Sequence, residues 1–156
     1  MSKDATTGHA TVTARVTHRF AASAERVFDA WLDPRTVGKW LFATPTGEMV
    51  RVELDPRVGG TFVITERRDG EDVMHTGEYL EIDRPRRLVF SLRVEKYAQD
   101  SDRVVVEITP LSTGCELTLT HQMAAAYASY VTRTEEGWAG VLAGLDNTLG
   151  VMASER

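Results

Sequence analysis

Residues 61–79 read Thr61-Phe62-Val63-Ile64-Thr65-Glu66-Arg67-Arg68-Asp69-Gly70-Glu71-Asp72-Val73-Met74-His75-Thr76-Gly77-Glu78-Tyr79. Asp-Gly between two strand-forming runs marks a two-residue hairpin, because both turn positions need left-handed backbone. Such a turn pairs Arg68 with Glu71, Glu66 with Val73, Ile64 with His75 and Phe62 with Gly77, and paired residues share a face. If Phe62 and Ile64 point inward, then Glu66, His75, Tyr79 and Glu81 belong to the concave side. Met74, Leu80 and Ile82 would then face outward, a conflict that the alternation leaves open.

The period of two extends from about residue 48 to residue 122. It is broken by turn residues at Asp55-Pro56, Asp69-Gly70, Asp83-Arg84-Pro85, Gln99-Asp100-Ser101 and Ser112-Thr113-Gly114. Six strands result, with connections too short for parallel crossovers, so an antiparallel meander is expected. In its last strand Cys115, Leu117, Leu119 and His121 alternate with polar residues, which puts His121 on the apolar face. Leu88, Phe90, Leu92 and Val94 are expected to join it. Val104, Val106 and Ile108 point inward, and the outer Val105, Glu107 and Thr109 leave a partly polar face that admits a weak homodimer. Upstream, Val12, Ala14, Val16, His18 and Phe20 alternate in a further half-buried strand over 10–20.

Helices flank this sheet. Ser23 is placed to cap a short helix carrying Val27, Phe28, Trp31 and Leu32. Asp33 is placed to cap a second, with Pro34 at its first position and Val37, Trp40 and Leu41 on its apolar side. Thr132 and Glu135 match a T-x-x-E capping box. Trp138, Val141, Leu142, Leu145, Leu149 and Met152 then form one stripe of a closing helix of about five or six turns. Gly137, Gly140, Gly144 and Gly150 thin that helix and point to close helix-to-strand approach, the competing reading being room for a ligand. The fold class is therefore α+β, in the order β-α-α-β6-α: a curved antiparallel sheet of about seven strands wrapped around a long C-terminal helix. One domain over 10–156 is expected, with residues 1–9 as a flexible N-terminus.

The chain of 156 residues carries 18 Lys+Arg and 23 Asp+Glu, a formal charge of −5. The charges are spread evenly, with 10 basic and 12 acidic residues in 1–78 and 8 and 11 in 79–156. A nucleic-acid partner needs a basic stripe, so none is expected. No run approaches about 18 uncharged apolar residues and the N-terminus lacks the apolar stretch of a signal peptide, so neither membrane insertion nor export is expected. The single cysteine, Cys115, cannot form an internal disulfide and reads as an inert core thiol in a cytoplasmic protein. His9, His18, His75 and His121 lack metal-ligand spacing, so no metal and no cofactor are expected.

The order of elements and several stretches resemble the helix-grip SRPBCC superfamily, and within it the homologues of the heat-shock-protein-90 ATPase activator. The stretches are Ala24 to Trp31, Lys39-Trp40, Arg57 to Phe62, His75 to Ile82, Pro85 to Ser91, Leu117 to His121, and Gly137-Trp138 with Leu142 and Leu145. The resemblance runs from about residue 10 to 152. It implies the helix-grip fold and a superfamily of lipid carriers, hormone receptors, cyclases and oxygenase subunits, so the ligand must be argued from the site.

An interior between helix and sheet would be an apolar chamber with a few polar groups, suited to a small hydrophobic or lipid-like molecule. The candidate ligand-binding residues are Trp40, Phe62, Ile64, Glu66, His75, Tyr79, Phe90, Leu92, His121, Tyr127, Trp138 and Leu142. His75 and His121 are the polar candidates, each weighed against a histidine satisfied by a neighbouring side chain or backbone group. Residues 123–130, with Tyr127 and Tyr130, form either a lid or an ordinary connector. No nucleophile elbow, P-loop or metalloprotease motif is present, and no catalytic residue is assigned. Two alternatives stand beside the binder. One is a cyclase- or dehydratase-type enzyme using His75, Glu66 and Tyr79, which requires Glu66 buried with its pKa raised. The other is a chaperone-associated interaction domain, as the family name suggests, although that name comes from larger proteins with an additional N-terminal domain.

Overall fold

At Asp69-Gly70 the backbone turns with φ of 51° and 81°, and the flanking strands pair Arg68 with Glu71, Glu66 with Val73, Ile64 with His75 and Phe62 with Gly77, the register expected of that dipeptide. The structure is a computed structural model and describes residues 10–94 and 101–154. The flexible N-terminus expected over 1–9, and Gln99-Asp100 of one expected turn, lie outside the described residues. The elements are β1 (Thr11–Phe20), α1 (Ala24–Ala30), α2 (Pro34–Trp40), β2 (Glu48–Leu54), β3 (Thr61–Arg68), β4 (Glu71–Asp83), β5 (Arg87–Val94), β6 (Asp102–Pro110) and β7 (Cys115–Ala124). A 3-10 segment (Ala125–Tyr130) then leads into α3 (Val131–Ser154). All seven strands form one antiparallel, curved and unclosed sheet in the order β1-β7-β6-β5-β4-β3-β2.

The concave face carries Phe62 and Ile64 of β3, Leu88, Phe90 and Leu92 of β5, Val104, Val106 and Ile108 of β6, and Cys115, Leu117 and Leu119 of β7, all buried. Against them lies the α3 stripe of Trp138, Leu142, Leu145 and Leu149. Burial pushes the Cys115 thiol pKa up, as befits a core thiol. Trp31 and Trp40 pack edge to face, 4.7 Å apart, and the Trp40 indole N–H donates to the Ala30 carbonyl at 3.2 Å, which fixes α2 on α1. Ser23 and Asp33 cap their helices by accepting from Arg26 N at 3.2 Å and Arg35 N at 3.0 Å. Arg84 grips Asp29 through two bonds, at 2.7 and 2.9 Å, and so ties α1 to the β4–β5 turn.

Three expectations are corrected. The register shifts between Tyr79 and Glu81, where Tyr79 pairs with Phe90 but Glu81 with Val89. Leu80 is the extra residue of a β-bulge and is 39% exposed, which returns Ile82 to the core and turns Glu81 outward onto Arg87. Glu81 is thus not concave, and the conflict is resolved at Ile82, while Met74, ahead of the bulge, stays on the face opposite His75. The Thr132–Glu135 capping box does not form, because α3 already begins at Val131. Glu135 instead accepts the Arg15 backbone N–H at 2.9 Å, where α3 covers the edge strand β1. The helix glycines do not mark close approach either: a Cβ added at Gly137, Gly140, Gly144 or Gly150 would meet nothing within 4 Å.

Gly77 is the contrasting case. A Cβ there would overlap the Ser91 carbonyl and the Phe62 ring, so the sheet admits only glycine beneath that ring. In denaturant titrations, Leu142→Ala should lower stability by about 2–5 kcal/mol, because its pocket in the core cannot collapse. Gly144→Ala should raise it by about 0.5–1 kcal/mol, because helix propensity improves with no steric conflict. A destabilised Gly144→Ala would contradict the open space beside α3.

Candidate functional site

The site begins with a buried carboxylate. Glu66 sits on the concave face of β3 with 1% exposure, so its charge must be compensated locally. Compensation comes from the Thr44 N–H at 2.6 Å, the Thr44 hydroxyl at 3.0 Å and the guanidinium of Arg68, two residues along the same strand face. Burial alone would raise the Glu66 pKa, but these donors together hold it below the ordinary carboxylate value. This direction is opposite to the raised pKa that an acid–base role at Glu66 requires. Gly47 N donates to the Thr44 hydroxyl at 3.1 Å, and a Cβ at Gly47 would overlap the Glu66 carboxylate. The loop between α2 and β2 is clamped onto β3 in this way.

The same clamp shapes Phe42. Arg68 Nη2 donates to the Phe42 carbonyl at 3.0 Å, and Phe42 has a φ of 61°, a left-handed conformation that bulky side chains rarely adopt. Its ring stacks on His75 at 4.1 Å with 7° between planes and meets Trp138 edge-on at 5.8 Å. The His75 Nδ1–H donates to the Ile64 carbonyl at 3.2 Å, leaving Nε2 as the ring's acceptor. Burial, with the Arg68 charge adding to it, pushes the His75 pKa down to about 4, so the imidazole is neutral at neutral pH.

Trp138 is held from behind. Its indole N–H donates to His121 Nδ1 at 2.9 Å, which makes Nε2 the protonated nitrogen of that ring, and Nε2 donates to Asp102 at 2.9 Å. Both nitrogens of His121 are thus spent on fixing an aromatic wall.

Between these groups opens a cleft of about 520 Å³ with a mainly apolar lining. Phe42, Ala43, Thr44 and Pro45 form one wall, Arg68, His75, Leu92 and Val94 the sheet side, and Thr134, Glu136, Gly137, Trp138, Gly140 and Val141 of α3 the opposite wall. Of the residues expected from the sequence, His75, Leu92 and Trp138 line the cleft. Trp40, Phe62, Ile64, Tyr79, Phe90 and Leu142 are packed into the core beside it, where burial pushes the Tyr79 phenol pKa up. Glu66 and His121 stand behind the lining, bonded to Arg68 and Trp138. Tyr127 is 43% exposed on the surface and pairs with Tyr130 at 6.1 Å, outside the lining. Sequence reasoning missed the 42–45 loop, which has no periodicity. It also missed Arg68, although Arg68 shares the face of Glu66, and an inward carboxylate calls for a cation. Among the described residues no group of three or more His, Cys, Asp or Glu side chains is arranged to hold a metal ion, and no helix is long and apolar enough to cross a membrane.

A curved open sheet, a long helix across it and an apolar cleft at one end define a helix-grip domain of the SRPBCC type. Residues 21–150 match the family model described as Activator of Hsp90 ATPase homolog 1-like protein, and the chain belongs to that family. No curated protein matches it. Solved structures share the fold. A Nitrosomonas europaea protein is 21% identical over 92% of this chain and 97% of its own, with a TM-score of 0.77. A Chromobacterium violaceum protein is 26% identical over 86% and 94%, with a TM-score of 0.73. An AHSA1-like protein of Aeromonas hydrophila is 19% identical over 91% and 94%, with a TM-score of 0.79.

The low pKa of His75 makes stability pH-dependent. Between pH 6.5, where an unfolded histidine titrates, and about 4, the unfolded chain binds more protons than the folded one, so stability falls as pH drops through that window. The loss should reach about 3 kcal/mol in wild type. It should be absent from His75→Phe, measured as the difference between the two proteins' urea midpoints across that range. Gly47→Ala should destabilise by about 1–3 kcal/mol by displacing Glu66 from its donors, visible as a lowered thermal midpoint.

Proposed function

We propose that the domain binds a small hydrophobic molecule in the cleft between the 42–45 loop, the sheet and the first half of α3. The observation that carries this reading is the cleft itself. Its volume of about 520 Å³ falls within the roughly 300–1,000 Å³ usual for ligand sites, and its walls are apolar with few polar groups. Such a site gains about 25 cal/mol for each Å² of apolar ligand surface removed from water, while a neutral histidine orients the ligand through one hydrogen bond.

Two local features support the reading. Gly137 and Gly140 face the cleft with no neighbour that a Cβ would touch, although glycine in a helix interior costs about 0.5–1 kcal/mol relative to alanine. Phe42 keeps a strained backbone at the same wall. Neither feature improves packing, and both shape the cleft.

The test is occlusion. Gly140→Leu should lower affinity for the neutral fluorescent probe N-phenylnaphthylamine at least about tenfold, while the thermal midpoint stays the same or rises. Unchanged probe affinity in a folded Gly140→Leu protein would place any binding elsewhere and reject this site.

A further inference from the structure

The cleft presents two polar functions, His75 and Arg68, and they differ in how far their own neighbours satisfy them. His75 is 5% exposed and lines the cleft; the backbone at Ile64 and Val73 acts on the ring, and with Nδ1–H donated to the Ile64 carbonyl, Nε2 carries the ring's lone pair. Arg68 gives Nε–H to Glu66 and an Nη2–H to the Phe42 carbonyl, so its charge is already matched by Glu66. Thr44, on the facing wall, is consumed by donating to Glu66 and accepting from Gly47. The unmet demand of the inner wall is therefore a proton donor for Nε2. The ring stays neutral near pH 7, with a pKa of about 4, so this demand persists under ordinary conditions.

Charge narrows the ligand further. A carboxylate would set a lone pair against the Nε2 lone pair and would lose its hydration in an apolar cleft whose inner cation, Arg68, is already paired with Glu66. An ammonium group could donate to Nε2 but would suffer the same loss of hydration with no unpaired carboxylate on the inner wall to receive it. An uncharged hydroxyl satisfies His75 and avoids the desolvation that an ion of either sign would suffer. We infer that the ligand is an uncharged apolar molecule carrying a hydroxyl group that donates to His75 Nε2. This rests on the reading of the cleft as a hydrophobic ligand site and adds the chemistry of the ligand's polar end.

The experiment compares four probes with one chain, 1-decanol, decyl methyl ether, decanoate and decylammonium, by calorimetric titration at pH 7.5. Decanol should bind about fivefold to tenfold more tightly than the ether, which lacks the proton, and more tightly than either ion. His75→Phe should abolish the preference for decanol over the ether. Equal binding of decanol and ether, or tighter binding of decanoate or decylammonium, overturns the hydroxyl assignment while the binding reading stands. If none of the four binds, the hydrophobic-ligand reading fails together with it. The probe comparison on unsubstituted protein decides the matter even where His75→Phe does not fold.

Discussion

A carboxylate removed from water must find donors, and the compensation of Glu66 organises the end of the molecule where the cleft lies. Its partners come from two places far apart in sequence, Thr44 on a loop and Arg68 on the same strand, so satisfying one charge fixes the loop against the sheet. Arg68 passes the constraint on by holding the Phe42 carbonyl, and Phe42 passes it on by stacking on His75. Gly47 is part of the same device, since any larger residue would occupy the space of the carboxylate. The ion pair is thus a fastening for the cleft wall. A buried pair of this kind is a weak source of net stability compared with apolar packing, but removing one partner leaves an expensive charge.

Much of this was legible in the sequence. The Asp-Gly dipeptide set the β3–β4 register residue for residue, because left-handed backbone at both positions leaves no other short turn and the period of two then carries each side chain to its face. Ser23 and Asp33 acted as caps because their side chains can satisfy amides that nothing else nearby can reach. The errors also have physical causes. The bulge at Leu80 inserts one residue into a strand without a turn signal, and its trace in the sequence was the run of apolar residues on the wrong face. Glu135 was taken from its local capping role by a long-range donor, the Arg15 amide on a sheet edge that local pattern cannot see.

The site was harder to read than the fold because alternation reports which face a side chain occupies and says nothing of how deep it lies. Phe62, Ile64, Phe90 and Leu142 are inward as expected, yet they meet one another across a filled core. Empty space arises where elements fail to meet, here at the end of the sheet beside an irregular loop. Its lining from Phe42 to Pro45 has no period to detect. His121 shows the complementary point. It was inward and polar, but its two nitrogens are taken by Asp102 and Trp138, so it acts through the wall.

The local costs fall into two groups, those offset by close packing and those that border open space. Gly77 is repaid by the Phe62 ring lying over it, and its conformational freedom follows from close approach. Gly137 and Gly140 receive no such return, for they border open space, and the left-handed Phe42 stands across from them. Gly144 and Gly150 also border open space but lie outside the cleft, and nothing in the structure explains them. A domain shaped for stability alone would place alanine at 137 and 140 and relax the loop at 42. Three of these departures, Gly137, Gly140 and Phe42, border one cavity, as the proposed ligand site requires.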